Sequence, residues 1–118
     1  MNTDQIIAAV VDAIEDIKGQ DITVLDVSEQ SSLFERMVSA SADSTRKTKA
    51  IAHNVQEKLK QVGIQDQGIE GLASGEWVLL DLGSVIVHVM QPAVRQYYNL
   101  EALWTAAADQ RSRRQGEV

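Results

Sequence analysis

Apolar side chains recur every three or four residues near the N-terminus. Ile7, Val10, Val11, Ile14 and Ile17 share one stripe, while Asp12, Glu15 and Asp16 take the opposite side. That period predicts an amphipathic helix over residues 4–18. Asn2, with Gln5 three positions on, has the spacing of a capping box, and Gly19 is placed to stop the helix. The period then shortens. ITVLDV at 22–27 is β-branched and bounded by Asp21 and Ser28, which predicts a strand. A second strand is expected near 34–40 (FERMVSA), on poorer alternation. Ser41-Ala42-Asp43-Ser44 is turn and cap chemistry. Helical spacing returns from Ser44 to Val62 through Thr48, Ile51, Val55 and Leu59, with Gly63 as the stop.

Four of the seven glycines lie between residues 63 and 76, which marks this stretch as a connection. Ile64 and Ile69 point to a short strand within it, and Gly71 to Glu76 reads as a mobile loop. The hairpin beyond it is the clearest element. WVLLDL at 77–82 and VIVHVM at 85–90 flank Gly83-Ser84, a Gly-first pair suited to a type II′ turn. A two-residue loop fixes the register, setting Leu80 opposite Val87, Leu79 opposite His88 and Trp77 opposite Met90. Alternation then sorts the side chains. Val78, Leu80, Leu82, Val85, Val87 and Val89 form an all-aliphatic face, which must be core. The other face mixes Trp77, Leu79, Asp81, Ile86, His88 and Met90. Aromatic residues and Met are enriched at interface centres, so this face is a candidate docking surface. The alternative is a face covered by a helix, with His88 a satisfied core histidine. Pro92 opens a short helix carrying Arg95, Tyr97 and Tyr98. Leu100, Leu103 and Trp104 around Glu101 look like a closing apolar cluster, after which the chain turns polar and basic.

Strands alternating with helices and ending in a hairpin predict a single α/β domain with a mixed sheet of four or five strands flanked by helices. The domain is expected over residues 1–104. Residues 105–118, with Arg111, Arg113 and Arg114, are expected to be a flexible polar tail. A chain of 118 residues is of single-domain size. No apolar run approaches the ~20 residues of a membrane span. MNTDQ has no basic start, so no secretory signal is read. The absence of cysteine removes thiol chemistry and fits a cytoplasmic setting. A net charge of −6 disfavours general coating of nucleic acid and suits a basic protein partner.

Catalytic chemistry finds little support. His53 stands mid-helix, and His88 has no His or Cys at metal-ligand spacing, so no zinc site is expected. No G-x-S-x-G elbow and no glycine-rich phosphate loop before a helix is present. The amides behind Ser41–Ser44 could hold an anion, though a plain N-cap explains them. Asp26 and Asp81 both stand in strands and could pair around magnesium, but neither belongs to a D-x-D or D-x-E motif. Asp66 and Glu70 are further apart and in a glycine-rich loop. No enzyme activity, cofactor or metal is expected.

Gly75-Glu76-Trp77-Val78-Leu79-Leu80-Asp81-Leu82-Gly83-Ser84-Val85-Ile86-Val87-His88-Val89-Met90 strongly resembles the ribosomal silencing factor family RsfS, also called Iojap or YbeB. Arg95, Tyr98, Leu100-Glu101 and Leu103-Trp104 are similar to that family's closing motif. Lys18-Gly19-Gln20-Asp21 with Leu25-Asp26-Val27 resembles its first-strand motif, and the helix from Ser44 with Arg46 and Ile51-Ala52 its second helix. Two departures stand out. Ser41-Ala42 replaces a usual Thr-Gly, and Glu35 a usual Asp. The resemblance implies a nucleotidyltransferase-like fold without its catalytic carboxylates. It also implies a bacterial translation factor that binds the large ribosomal subunit through ribosomal protein fourteen, blocks subunit joining by bulk and lowers translation when nutrients are short. Relatives in organelles act in large-subunit assembly. On this reading Trp77 and Met90 are apolar anchors with His88 between them. Asp81, Glu70 and Glu76 are acidic groups for a basic partner, and Tyr98 and Glu101 are secondary contacts. Two other readings stay open: an assembly factor touching ribosomal RNA through Arg46, Lys47, Lys49 and the Arg111–Arg114 tail, and a nucleotidyltransferase-like enzyme. Self-association of the free protein through the same sheet face, as a homodimer, is a further expectation.

Overall fold

The first helix opens as its cap spacing requires. The Gln5 amide donates to Asn2 Oδ1 at 2.8 Å, and the Asn2 amide donates to Gln5 Oε1 at 3.0 Å. This is a computed structural model, and it describes residues 2–99. In chain order the elements are α1 (Thr3–Asp16), β1 (Gln20–Asp26), β2 (Arg36–Ser41), α2 (Thr45–Gln61), β3 (Gly68–Glu70), β4 (Trp77–Asp81), β5 (Val85–Met90) and α3 (Pro92–Tyr98). Ser44 caps α2 by accepting from the Lys47 amide at 3.1 Å. Leu100, Glu101, Leu103, Trp104 and the tail at 105–118 lie outside the described residues.

The five strands form one mixed sheet in the order β1-β2-β5-β4-β3. Only the β2–β5 pairing is parallel. It needs a crossover, and α2 lies within the connection between the two strands. The hairpin register is the expected one, from Trp77 opposite Met90 to Asp81 opposite Ile86. Gly83 has φ +89, the left-handed conformation that the first central position of a type II′ turn demands.

Helices α1 and α2 pack together over the aliphatic face. Val10, Ala13, Ile14, Ile51, Val55 and Leu59 meet Val38, Leu80, Val85, Val87 and Val89, all essentially removed from solvent. The buried stripe of α1 is Ile6, Val10, Ala13 and Ile14, rotated slightly from the one read in the sequence. Ala13 is why. It lets α2 come close enough for Asn54 Nδ2 to donate to the Ala13 carbonyl at 2.8 Å. On the surface of this helix pair, Lys58 of α2 reaches Asp16 at 2.7 Å and Asp12 at 3.4 Å on α1.

Three details differ from expectation. The second strand begins at Arg36, because Glu35 serves the strand end: its carboxylate accepts from the Thr3 hydroxyl at 2.7 Å. Ile64 stays outside β3 because its amide closes α2, donating to the Leu59 carbonyl at 2.9 Å. The 71–76 loop, expected to be mobile, is tied down. The buried Thr48 hydroxyl donates to the Gly75 carbonyl, and the Gln91 amide donates to the Glu76 carbonyl at 3.0 Å. Gly71 holds φ +87, and a Cβ there would stand 1.9 Å from the Trp77 carbonyl oxygen. Ala42 sits comfortably. It is buried, its amide donates to the Met90 carbonyl at 3.1 Å, and its φ is not positive.

Candidate functional site

Exposure divides the mixed hairpin face in two. β5 runs between β2 and β4, and all six of its side chains are buried. β4 has only the three-residue β3 outside it, and its alternate residues Trp77, Leu79 and Asp81 remain half-exposed. Met90 is therefore 0% exposed and cannot touch a partner as an apolar anchor, contrary to the sequence expectation. It shapes the sheet beneath Trp77. His88, at 7% exposure, is likewise an internal group.

His88 nonetheless acts on the surface through its neighbour. The Trp77 indole N–H donates to His88 Nδ1 at 2.9 Å, with the rings tilted and 5.7 Å apart. An indole N–H can only donate, so Nδ1 carries no proton in this contact. The bond fixes the indole's rotation about its side chain. From the other side the Tyr98 ring packs on Trp77 at 4.8 Å, and Tyr97 meets Tyr98 edge-on at 5.1 Å. Trp77 is thus a wedge held by a histidine below and a tyrosine beside it.

A cleft opens on each side of the wedge. One, of about 320 Å³, is lined by Glu70, Gly71, Trp77 and Leu79. The other, of about 430 Å³, lies between the 74–77 segment and α3, and its walls include Glu76, Trp77, Val94, Tyr97 and Tyr98. Helix α3 buries no side chain, and Tyr97 and Tyr98 stay 83% and 52% exposed. Glu70 and Glu76 are exposed, one at each cleft. Asp81 stands apart at the hairpin turn, where its Oδ1 accepts from the Gly83 amide at 2.8 Å. It is occupied in shaping the turn. Glu101 lies outside the described residues.

Trp77, Glu70, Glu76 and Tyr98 are thus brought together, Asp81, His88 and Met90 play internal roles, and Leu79 and Tyr97 join the face. Leu79 was legible from alternation but unremarkable as one leucine among several. The signal for Tyr97 was two adjacent tyrosines on a helix too short to bury both.

The structure does not bring the carboxylates together. Asp26 on β1 and Asp81 on β4 are three strands apart, roughly 14 Å at ordinary strand spacing. They also project from opposite faces, since Asp26 is in register with Arg36 and Val85, and Asp81 with Ile86. The Ser28 hydroxyl and amide bond the Asp26 carboxylate, and with the nearby Arg36 charge they hold its pKa below the ordinary 3.8. Among the described residues no three His, Cys, Asp or Glu side chains gather as a metal site. Nor is any described helix long and apolar enough to cross a membrane.

Fold and face together define a class: a small mixed-sheet α/β domain whose accessible chemistry on the mixed sheet face is aromatic and acidic. The family model described as "Ribosomal silencing factor during starvation" matches residues 1–117, and the chain belongs to that family, RsfS. It is 55% identical over 104 residues to the ribosomal silencing factor RsfS of Chromobacterium violaceum, covering 88% of this chain and 85% of that protein. The Bacillus subtilis factor of the same name is 36% identical, with 88% of each chain covered. Mouse "Mitochondrial assembly of ribosomal large subunit protein 1" is 33% identical over 73% of this chain but only 39% of its own length. Among solved structures, a Chromobacterium violaceum protein superposes with a TM-score of 0.87 at 54% identity, covering 89% of this chain and 88% of that one. A Bacillus halodurans protein gives 0.79 at 32% identity, covering 86% of this chain and 95% of that one. The family is one of ribosome-associated regulatory factors.

Proposed function

We propose that this protein represses translation by seating on the large ribosomal subunit through ribosomal protein fourteen and excluding the small subunit by its volume. The action needs affinity and a rigid patch and no bond chemistry, so neither metal nor cofactor enters it. The carrying observation is the wedge: an indole locked by His88, packed by Tyr98, and open on both sides to clefts edged by Glu70 and Glu76. A pre-positioned aromatic beside carboxylates suits a basic protein surface. The aromatic supplies the buried anchor, and the charges steer the encounter. The fixed rotamer means little side-chain freedom is lost on docking. The place of action is the cytoplasm, where ribosomal subunits join.

Sedimentation tests the reading. The pure protein should comigrate with large subunits in a sucrose gradient and lower the joined fraction when small subunits are added. A protein that stays at the top of the gradient ends the proposal. Trp77→Ala should keep the fold by circular dichroism and lose about 2 kcal/mol or more of binding, roughly thirty-fold in affinity.

A second reading has one observation in its favour, the mouse relative whose name places it in assembly of the mitochondrial large subunit. An assembly role uses the same seat earlier in the subunit's life. Incomplete large-subunit particles accumulating on depletion of the protein would favour it.

A further inference from the structure

Five of the chain's eleven basic side chains stand on α2, so the positive charge of a chain with net charge −6 is concentrated on one helix. They are not distributed at random around it. Thr48, Ile51, Val55 and Leu59 are buried, which fixes the inward side. Arg46, Lys49, His53 and Lys60, spaced by three, four and seven residues, fall on the outward side as one stripe. It runs for about 21 Å along the axis, with Glu57 as its one acidic interruption.

Among the described residues the fold pairs none of these charges, and only Lys60, in the last turn of α2, gains from the helix dipole. Lys58, off the stripe, is engaged with Asp12 and Asp16 of α1, whereas Arg46, Lys49 and Lys60 take part in none of the ion pairs among the described residues. Arg46 also sits in the first helical turn, which contains no acidic residue, where the helix dipole disfavours a cation. Arg46 thus breaks a local rule without structural return, and such positions are where function is expected. Their position adds a second argument. The N-terminal end of the stripe lies beside the loop that leads into the wedge: Gly75, two residues before Trp77, is pinned by Thr48, and a Cβ on it would come within 2.9 Å of the Lys49 Cε.

We infer that the outward face of α2 is an RNA-backbone contact, resting on the docking reading above. Helix α2 lies on the aliphatic side of the sheet and Trp77 projects from the other, so a body seated through the wedge carries the cationic stripe on its flank, where its charge fits phosphate rising beside the docking protein. The stripe carries no Trp, Tyr or Phe for stacking on bases and His53 is its one ring, so the contact is chiefly to phosphates and independent of sequence. It adds affinity and fixes the orientation of the seated protein.

The test compares the wild-type chain with the triple variant Arg46→Gln, Lys49→Gln, Lys60→Gln, which alters only outward-facing positions and whose fold circular dichroism verifies. Affinity for purified large subunits is measured across a salt series, and affinity for a fluorescent RNA duplex by anisotropy at roughly 50 mM salt. The triple variant should bind large subunits more weakly at low salt, with a slope of log K against log salt shallower by about 2, and should lose the duplex binding that the wild type shows. An unchanged slope overturns the inference and leaves the docking reading intact. A flattened slope with no duplex binding by the wild type assigns the stripe to an acidic protein and overturns the RNA contact. If the wild type binds no large subunits, the docking reading fails, and the duplex measurement alone decides the stripe: binding lost in the triple variant supports it, and no wild-type binding overturns it.

Discussion

Two glycine signals near the ends of helices look alike in the sequence and do different work. After α2, Gly63 takes φ +87, and the Gly63 and Ile64 amides close the helix on the Lys60 and Leu59 carbonyls. After α1 the same two bonds are made by Lys18 and Gly19, but it is Lys18 that adopts φ +60. Gly19 is required for another reason: a Cβ there would stand 2.3 Å from Ile14 Cγ2, inside the core. A left-handed non-glycine residue costs roughly 1–2 kcal/mol. Lys18→Gly should therefore stabilise the protein, by about 1 kcal/mol after the added freedom of the unfolded chain is subtracted, read as a rise in the urea midpoint. A fall in that midpoint would show that the lysine stem contributes more than its backbone strain removes.

At the scale of elements, the contact between α1 and α2 combines a buried stripe with an exposed ionic clamp. The Asp16 hydrogen bond, helped by Asp12, raises the Lys58 pKa above its ordinary 10.5, against a weaker opposing effect of desolvation. A folded pKa above the unfolded one means that the clamp's contribution is complete below about 10.5 and disappears as pH rises through the raised value. Thermal melts from about pH 9 to pH 12 should thus show a larger fall in Tm for the wild type than for Lys58→Gln, with the two curves converging at the alkaline end. Parallel curves would mean the clamp adds nothing to stability. Elements were also where the sequence was most legible. The hairpin register followed from a two-residue loop, and the Asn2 and Ser44 caps from their spacing. What alternation could not tell was which strand would be interior. The parallel pairing of β2 with β5 joins segments 44 residues or more apart, and no local pattern encodes it. That pairing encloses Ile86, His88 and Met90 while leaving Trp77 and Leu79 reachable. Register told which side chains share the face, and it does not tell how far each is exposed.

For the molecule as a whole, blocking by volume has a signature that separates it from active splitting. A seat on the intersubunit side is closed in a joined ribosome and open in a free large subunit. The proposed factor should lower the joined fraction strongly when added before the small subunit. Added to ribosomes already joined, it should act only as fast as they come apart spontaneously, and nucleoside triphosphate should make no difference. Light scattering after each order of addition measures this. Rapid loss of scattering from joined ribosomes would point to a different action. Charge is arranged at the same scale, with carboxylates beside the wedge on one side of the sheet and cations along α2 on the other, so the chain offers two unlike surfaces.

The central place of β5 governs when a newly made copy becomes competent. Synthesis supplies β1 and β2 early, yet the strand that joins β2 to the rest of the sheet is complete only at Met90. Until that residue leaves the exit tunnel, the sheet lacks its middle and the indole has no histidine beneath it. No half-made copy carries a finished wedge, so on the proposed reading a growing chain cannot yet take the seat on a ribosome.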